Sequence, residues 1–334
     1  MNRINRNVAL AALAIATALL IFGSLFVGPA KLTSGEVLGV LTRDVQESHV
    51  TIVLDVRLPR ALLAFTIGAA LAGSGVVFQG LFRNPLADPF VVGVSGGAAL
   101  GAVIAIVSGV QLNVFGLGAV TLAAFAGALG AALLVYHIAA VRGRVPVTTL
   151  LLAGFAVGSF ASAVVSILML LHTQNWHEIL IWLLGSLDRA DAWLRIKVSF
   201  PFILLSLTVM AIFSRELNLM ILGEEPAQQL GVEVERVKKL LLATGAIAAA
   251  VSVAMCGIIG FVGLIVPHVV RILVGPDHRT LLPVTVLAGG AFLVAADTIS
   301  RLIMPPSGLP VGTVTALAGA PFFLLILRRW GPRA

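Results

Sequence analysis

What most limits the folds open to this chain is a series of long charge-free runs. Residues 8–27 and 147–171 carry no Asp, Glu, Lys or Arg, and runs of similar character follow one another along the sequence. A helix of about 20 mainly apolar residues spans the hydrocarbon core of a bilayer. Within that core every backbone group needs a partner inside the chain, which a helix supplies. Of the 334 residues 59% are hydrophobic and 11% charged, against about a quarter charged in a soluble domain that must hydrate its surface. A soluble all-helical protein is therefore excluded.

The formal charge of +7 would in a soluble chain point towards nucleic acid. Here Lys and Arg fall in the gaps between apolar runs, so they are read as setting membrane orientation, and no nucleic-acid partner is expected. The single cysteine, Cys256, lies in an apolar stretch, which leaves no disulfide framework and no thiolate metal site. Arg3 and Arg6 followed by residues 8–27 resemble a signal peptide. That apolar core is long and no A-x-A site follows it, so it is read as an uncleaved first helix.

Hydropathy predicts ten spanning helices, near residues 8–27, 58–82, 90–110, 113–138, 147–171, 194–213, 238–257, 258–274, 281–303 and 309–327. No polar loop parts the seventh from the eighth; only Gly257, Gly260 and Gly263 mark a break. An even number puts both termini on one side. With the termini inside, the cytoplasmic segments hold 14 of the 22 Lys and Arg residues, among them Arg3, Arg83, Arg142, Arg236, Lys238, Lys239 and Arg333. The other 8 are Lys31, Arg43, Arg57, Arg60, Arg189, Arg195, Lys197 and Arg301. The bias chooses the orientation, yet an outer face so rich in arginine needs a reason. Residues 28–57 and 172–193 are expected outside, the former with a capping-box start at Thr33 and Glu36. Residues 172–193 hold Trp176, Trp182 and Trp193, suited to the interfacial belt. Residues 214–239 are expected inside. The whole chain, 1–334, is read as one transmembrane domain.

No enzyme signature holds up. Gly93, Ser95 and Gly97 match G-x-S-x-G, but that motif needs a strand before it, whereas here it opens a predicted span and small residues serve helix packing. His177 and Glu178 have no second histidine at metalloprotease spacing, and no P-loop occurs. If ATP drives the protein, another polypeptide binds it. Asp297 is the acidic residue well inside a span, and Arg301 lies at i+4, where the two can pair. A single local pair suits a structural or docking role better than a proton pathway.

Two stretches are distinctive. One runs from Arg57, Pro59 and Arg60 through Gly68, Gly73, Gly75 and Gln79 to Asn84, Pro85, Asp88 and Pro89. The other runs from Gly257, Gly260 and Gly263 through Pro267 and His268 to Arg271, Asp277 and Arg279. With Leu309 to Gly312 and Gly319 to Pro321 they resemble the FecCD-type permeases, the type II ABC importer permeases for vitamin B12, haem and ferric siderophores. The resemblance runs from about residue 30 to the C-terminus.

The resemblance implies an all-α permease that catalyses no bond chemistry and binds no cofactor. Its expected partners are a second permease subunit (a homodimer or close heterodimer), two ATP-binding cassette subunits that use ATP and Mg, and one extracytoplasmic substrate-binding protein. Glu225, Ala227, Gln228, Leu230 and Gly231 would form the segment that seats in the ATPase. Arg57, Arg60 and Arg301 would receive glutamates of the binding protein, which would account for the outer arginines. A multi-pass inner-membrane location follows, with an iron–siderophore, haem or cobalamin-like cargo.

The residues read by themselves agree with a transporter. Proline lacks a donor, and in a membrane such a gap is tolerated only where protein or a water cavity covers it. Asn84, Pro85 and Pro89 mark one interrupted segment, Gly260 and Pro267 another. Each follows a Gly/Ala-rich helix, and the two helices run in opposite directions, which predicts an inverted repeat of helices two to five against seven to ten. Pro226 fits the first turn of a short helix and Gly231 its stop.

Overall fold

The computed structural model describes residues 6–42, 45–141, 144–188, 191–304 and 308–330. Arg3, Arg43, Arg142, Arg189 and Arg333, which the charge bias includes, lie outside them. In chain order the helices are α1 Arg6–Ser24, α2 Ser34–Thr42, α3 Glu47–Thr51, α4 Leu58–Leu81, α5 Val94–Ser108, α6 Ala119–Ala139, α7 Val147–Leu171, α8 Trp176–Leu183, α9 Ala192–Ile212, α10 Ser214–Ile221, α11 Glu224–Gln229, α12 Val234–Cys256, α13 Val262–Val274, α14 His278–Ile303 and α15 Val311–Trp330. Strand pairing among the described residues amounts to a two-residue hairpin, Asn113–Val114 with Leu117–Gly118, and a bridge between Val141 and Arg144.

Among the described residues six helical stretches are long and apolar enough to cross a membrane: Glu47–Leu81, Ala119–Ala139, Val147–Leu171, Ala192–Ile212, Val234–Cys256 and His278–Ile303. Four shorter apolar helices, Leu10–Ser24, Val94–Ser108, Val262–Val274 and Val311–Leu325, fall where the remaining spans are predicted. The bounds need correction in three places. The second predicted span is not entered from a loop at 58, because α3 passes through a wide π turn at Ile52–Arg57 straight into α4. The third predicted span begins four residues late, at Val94, since Pro89–Val92 forms a 3-10 turn and Gly93 is left-handed. The fourth begins at Ala119 instead of 113, after the hairpin.

α4 is the pillar of the fold. Its most apolar window is 89% buried, whereas those of α6, α7 and α9 are at most 28% buried. Glycine makes this burial possible: a Cβ at Gly68 would stand 2.3 Å from the Gly289 carbonyl of α14, and one at Gly75 would stand 1.9 Å from the Gly263 carbonyl of α13. Helices in lipid associate through such small-residue contacts. The capping box at the start of α2 forms as its sequence predicts. The Thr33 amide donates to Glu36 Oε2 at 2.7 Å and the Glu36 amide to Thr33 Oγ1 at 3.3 Å, and these bonds hold the Glu36 carboxyl below its ordinary pKa.

Candidate functional site

Three clusters gather the residues singled out by the sequence. At the end where α1 and α14 stop and α4 starts, Asp297 lies buried between two arginines. Arg60 Nε donates to Asp297 Oδ1 at 3.0 Å, and Arg301 Nε is 3.1 Å from Oδ2. The Asp297–Arg301 pair was legible at i+4; the second partner, Arg60, comes from a helix 237 residues away in sequence. Arg301 Nη1 also donates to the Ser24 and Val27 carbonyls at 3.2 and 2.6 Å. Arg57 donates to the Leu25 and Ala30 carbonyls. Arg57 and Arg301 are thus buried and committed to the backbone that follows α1, whose carbonyls lie beyond helical pairing and need donors. Arg60 differs: its Nη1 reaches Asp188 at 3.0 Å, a residue whose side chain is 61% exposed. Asp188 was not foreseen, since a lone loop aspartate carries no sequence signal.

Beside the last turns of α4 the two interrupted segments meet. Pro267, inside α13, has no N–H for the Gly263 carbonyl four residues back. Gln79 of α4 supplies the missing donor: its Nε2 lies 3.3 Å from the Gly263 oxygen and 3.1 Å from the Leu264 oxygen. Gly75, one turn before Gln79, leaves the space that this carbonyl fills. On its other side Gly263 abuts the Pro89 ring, which a Cβ at Gly263 would meet at 2.6 Å. α4 itself ends in a Schellman turn. The Asn84 amide donates to the Gln79 carbonyl and that of Arg83 to Gly80, with Arg83 left-handed at φ 49°, a conformation that costs a non-glycine residue about 1–2 kcal/mol. Asn84 Oδ1 then accepts from the Leu86 amide at 2.9 Å, and Pro85 follows within that turn. Asp88 caps the 3-10 turn by accepting from the Phe90 amide. Burial pushes its carboxyl up to about 6 against that hydrogen bond.

The second interruption spans residues 257–261, between α12 and α13, with Gly257 at φ 74° and Phe261 left-handed at φ 69°. The end of α8 closes on it. The Ser186 amide donates to the Cys256 carbonyl at 2.7 Å, and a Cβ at Gly185 would stand 2.3 Å from the Ile258 oxygen. Gly312, at the start of α15, approaches the Leu184 and Ile258 carbonyls equally closely. A Cβ at Gly260 would meet nothing within 4 Å, so this residue borders open space inside the break.

The third cluster is residues 214–239, where a short amphipathic helix, α10, precedes α11. Pro226 sits in the first turn of α11, and Gly231 ends the helix at φ 84°. The Val232 amide donates to the Ala227 carbonyl and the Gly231 amide to Gln228, the two bonds of a Schellman motif. Ala227 is buried, while Glu225, Gln228, Leu230 and Gly231 are exposed. α11 is tied to α12 by Lys238, whose Nζ lies 2.7 Å from Glu224 and 3.1 Å from Glu235. α10 is tied to the start of α14, where Asn218 Nδ2 donates to Asp277 at 2.6 Å. Burial alone would raise the Asp277 carboxyl, but hydrogen bonds from Asn218 and the Arg279 amide, with the charges of Arg279 and His278, hold it below its usual range. The Lys238–Glu224 and Asn218–Asp277 ties were not read from the sequence, because each joins residues from different elements.

The FecCD transport family model matches residues 16–329. The cobalamin import system permease protein BtuC of Halobacterium salinarum is 50% identical over 290 residues, covering 85% of this chain and 75% of that protein. The hemin transport system permease protein HmuU of Yersinia pestis is 39% identical over 98% of this chain and 97% of its own. A chain described as a metal-chelate type ABC transporter in an inward-facing conformation superposes with a TM-score of 0.83 at 31% identity, covering 97% of this chain and 99% of the other. A largely buried glycine-lined pillar, two interrupted helices meeting over it and a short exposed helix pair tied to the bundle therefore coincide with a match along nearly the whole sequence, and the chain belongs to the FecCD transport family.

Proposed function

We propose that this protein is the membrane-spanning permease of a binding-protein-dependent ABC importer for a metal chelate. The relatives are named for cobalamin, hemin and ferric citrate, and the cargo class proposed is the same: a ferric siderophore, haem or a cobalamin. The observation that carries the reading is α11: a stopped, exposed short helix whose only buried contact residue is Ala227 and whose ion pair leads directly into α12. A surface of that kind passes a push from a partner into the bundle. ATP and Mg belong to two ATPase subunits seated on Glu225, Gln228 and Leu230. Their binding and hydrolysis act by preferring one arrangement of the permease over another.

The ten-span topology, with both termini cytoplasmic, is the arrangement we adopt for the membrane. The order long helix, break, short helix, long helix, long helix recurs in α4–α7 and α12–α15, which supports the inverted repeat. The uncovered apolar side of α7, with Phe155 at 75% and Leu170 at 75% exposure, supports contact with lipid and with a second copy of the chain in a homodimer.

The coupling role makes a direct forecast. Gly231→Val finds room, since nothing lies within 4 Å, but meets a left-handed backbone that costs a β-branched residue about 1 kcal/mol or more. The variant should insert normally yet lose uptake and ATPase stimulation; full uptake at normal expression would remove α11 from coupling.

Docking on the outer face rests on Arg60, the most accessible arginine of its cluster, with Arg57 and Arg301 holding the backbone beneath it. A carboxylate from the binding protein would replace Asp188 on the same guanidinium. Losing one partner of a desolvated bidentate pair costs about 2–5 kcal/mol, and 1.4 kcal/mol is one decade. Arg60→Glu should weaken binding of the purified binding protein to the reconstituted transporter tenfold or more, and a glutamate-to-lysine change on the binding protein should restore part of it. Unchanged affinity would sink the docking role.

A further inference from the structure

A slot of about 420 Å³ lies between α6, the start of α7 and the first half of α12. Its walls include Leu129, Leu133, Leu150, Leu242 and Ile247, and among the described residues two polar side chains line it, Tyr136 and Lys239. Both sit at one end. Tyr136 is in the last turn of α6 and Lys239 in the second turn of α12, and the Val145 amide donates to Glu235 at 3.3 Å, which sets the α6–α7 turn beside the start of α12. The slot is therefore an apolar channel with a polar rim, on two helices long and apolar enough to span a membrane.

The rim has a surplus of positive charge. Lys238 turns inward, where it is 5% exposed and held by Glu224 and Glu235. Its neighbour Lys239 is exposed and has no carboxylate partner among the described residues. A lysine at the end of an apolar run lays its stem along hydrocarbon and its ammonium at the headgroup level, with tyrosine its usual companion there.

We propose that the slot holds an acyl chain of an anionic phospholipid whose phosphate is bound by Lys239 and Tyr136. The chemistry argues for this occupant. An apolar wall of this kind rejects a hydrated small molecule, whereas an anionic lipid satisfies both the wall and the unpaired ammonium. A zwitterionic lipid fills the slot but brings no net charge to the rim. The bound lipid braces α12, the helix that Lys238 ties to α11, against α6 and α7.

The test uses the purified permease alone, so it is independent of any docking or coupling result. The protein is delipidated and exchanged into phosphatidylglycerol or phosphatidylethanolamine of identical acyl chains, and bound lipid is counted by native mass spectrometry. Wild type should retain one phosphatidylglycerol per chain with at least a tenfold preference. Lys239→Glu should abolish that preference. Ala243→Phe, a change at an exposed position that lines the slot, should abolish retention of either lipid with helicity by circular dichroism unchanged. Inorganic phosphate in excess should not displace the lipid. Equal retention of the two lipids, unchanged selectivity in Lys239→Glu, retention by Ala243→Phe, or displacement by phosphate would each overturn the assignment.

Discussion

Gly75→Ala is expected to destabilise the folded permease by about 3 kcal/mol or more, an unusually large cost for one methyl group. Overpacking a core costs about 1–3 kcal/mol when side chains can yield. Here the new Cβ would lie 1.9 Å from the Gly263 carbonyl oxygen and 2.6 Å from its carbon, so backbone must move. That carbonyl is the one Pro267 leaves without a helical donor and Gln79 satisfies; displacing it also strands a buried polar group, at about 1–3 kcal/mol. Gly130→Ala provides the matched control. It lies on the exposed side of α6 with nothing within 4 Å of its Cβ, and helix propensity favours alanine over glycine by about 1 kcal/mol. Melting of the two purified variants in detergent should move in opposite directions. A Gly75→Ala protein as stable as wild type would show that α4 and α13 do not meet at this crossing.

Asp297→Ala should be nearly as damaging for an electrostatic reason. Its carboxylate is 1% exposed and takes bonds from both Arg60 and Arg301, and the Arg301 side chain is 4% exposed. Removing one member of a buried ion pair leaves an uncompensated charge, at about 3–5 kcal/mol. Asp297→Asn retains the shape and one acceptor oxygen but not the charge, and should fall between wild type and alanine. The damage should centre on the end of α1, because Arg301 also holds the Ser24 and Val27 carbonyls. Hydrogen exchange should therefore rise first in residues 24–30. Exchange unchanged there, with stability unchanged, would reduce the cluster to an incidental contact.

The membrane-spanning character, the two interrupted segments and the stop of α11 were legible in the chain because each is written locally. A charge-free run of about 20 residues has few alternatives to a spanning helix. Proline removes a donor wherever it stands. Thr33 with Glu36, and Pro226 with Gly231, act over one or two turns. The helix ends near Arg57, Pro89 and Asn113 were less legible, because a π turn, a 3-10 turn and a hairpin are settled by what packs over them.

Tertiary structure alone decided which charges meet and which carbonyls lose or gain a donor. Sequence placed Arg57, Arg60 and Arg301 at one end of the bundle. Folding divided them into two that hold the backbone after α1 and one that faces Asp188. Gln79 and Gly263 are 184 residues apart, and no periodicity links them. A hydrogen bond or an ion pair depends on distances of a few ångströms, and helix packing sets those distances. Apolar patterning decides that helices form; close contact between glycine backbones decides where they cross.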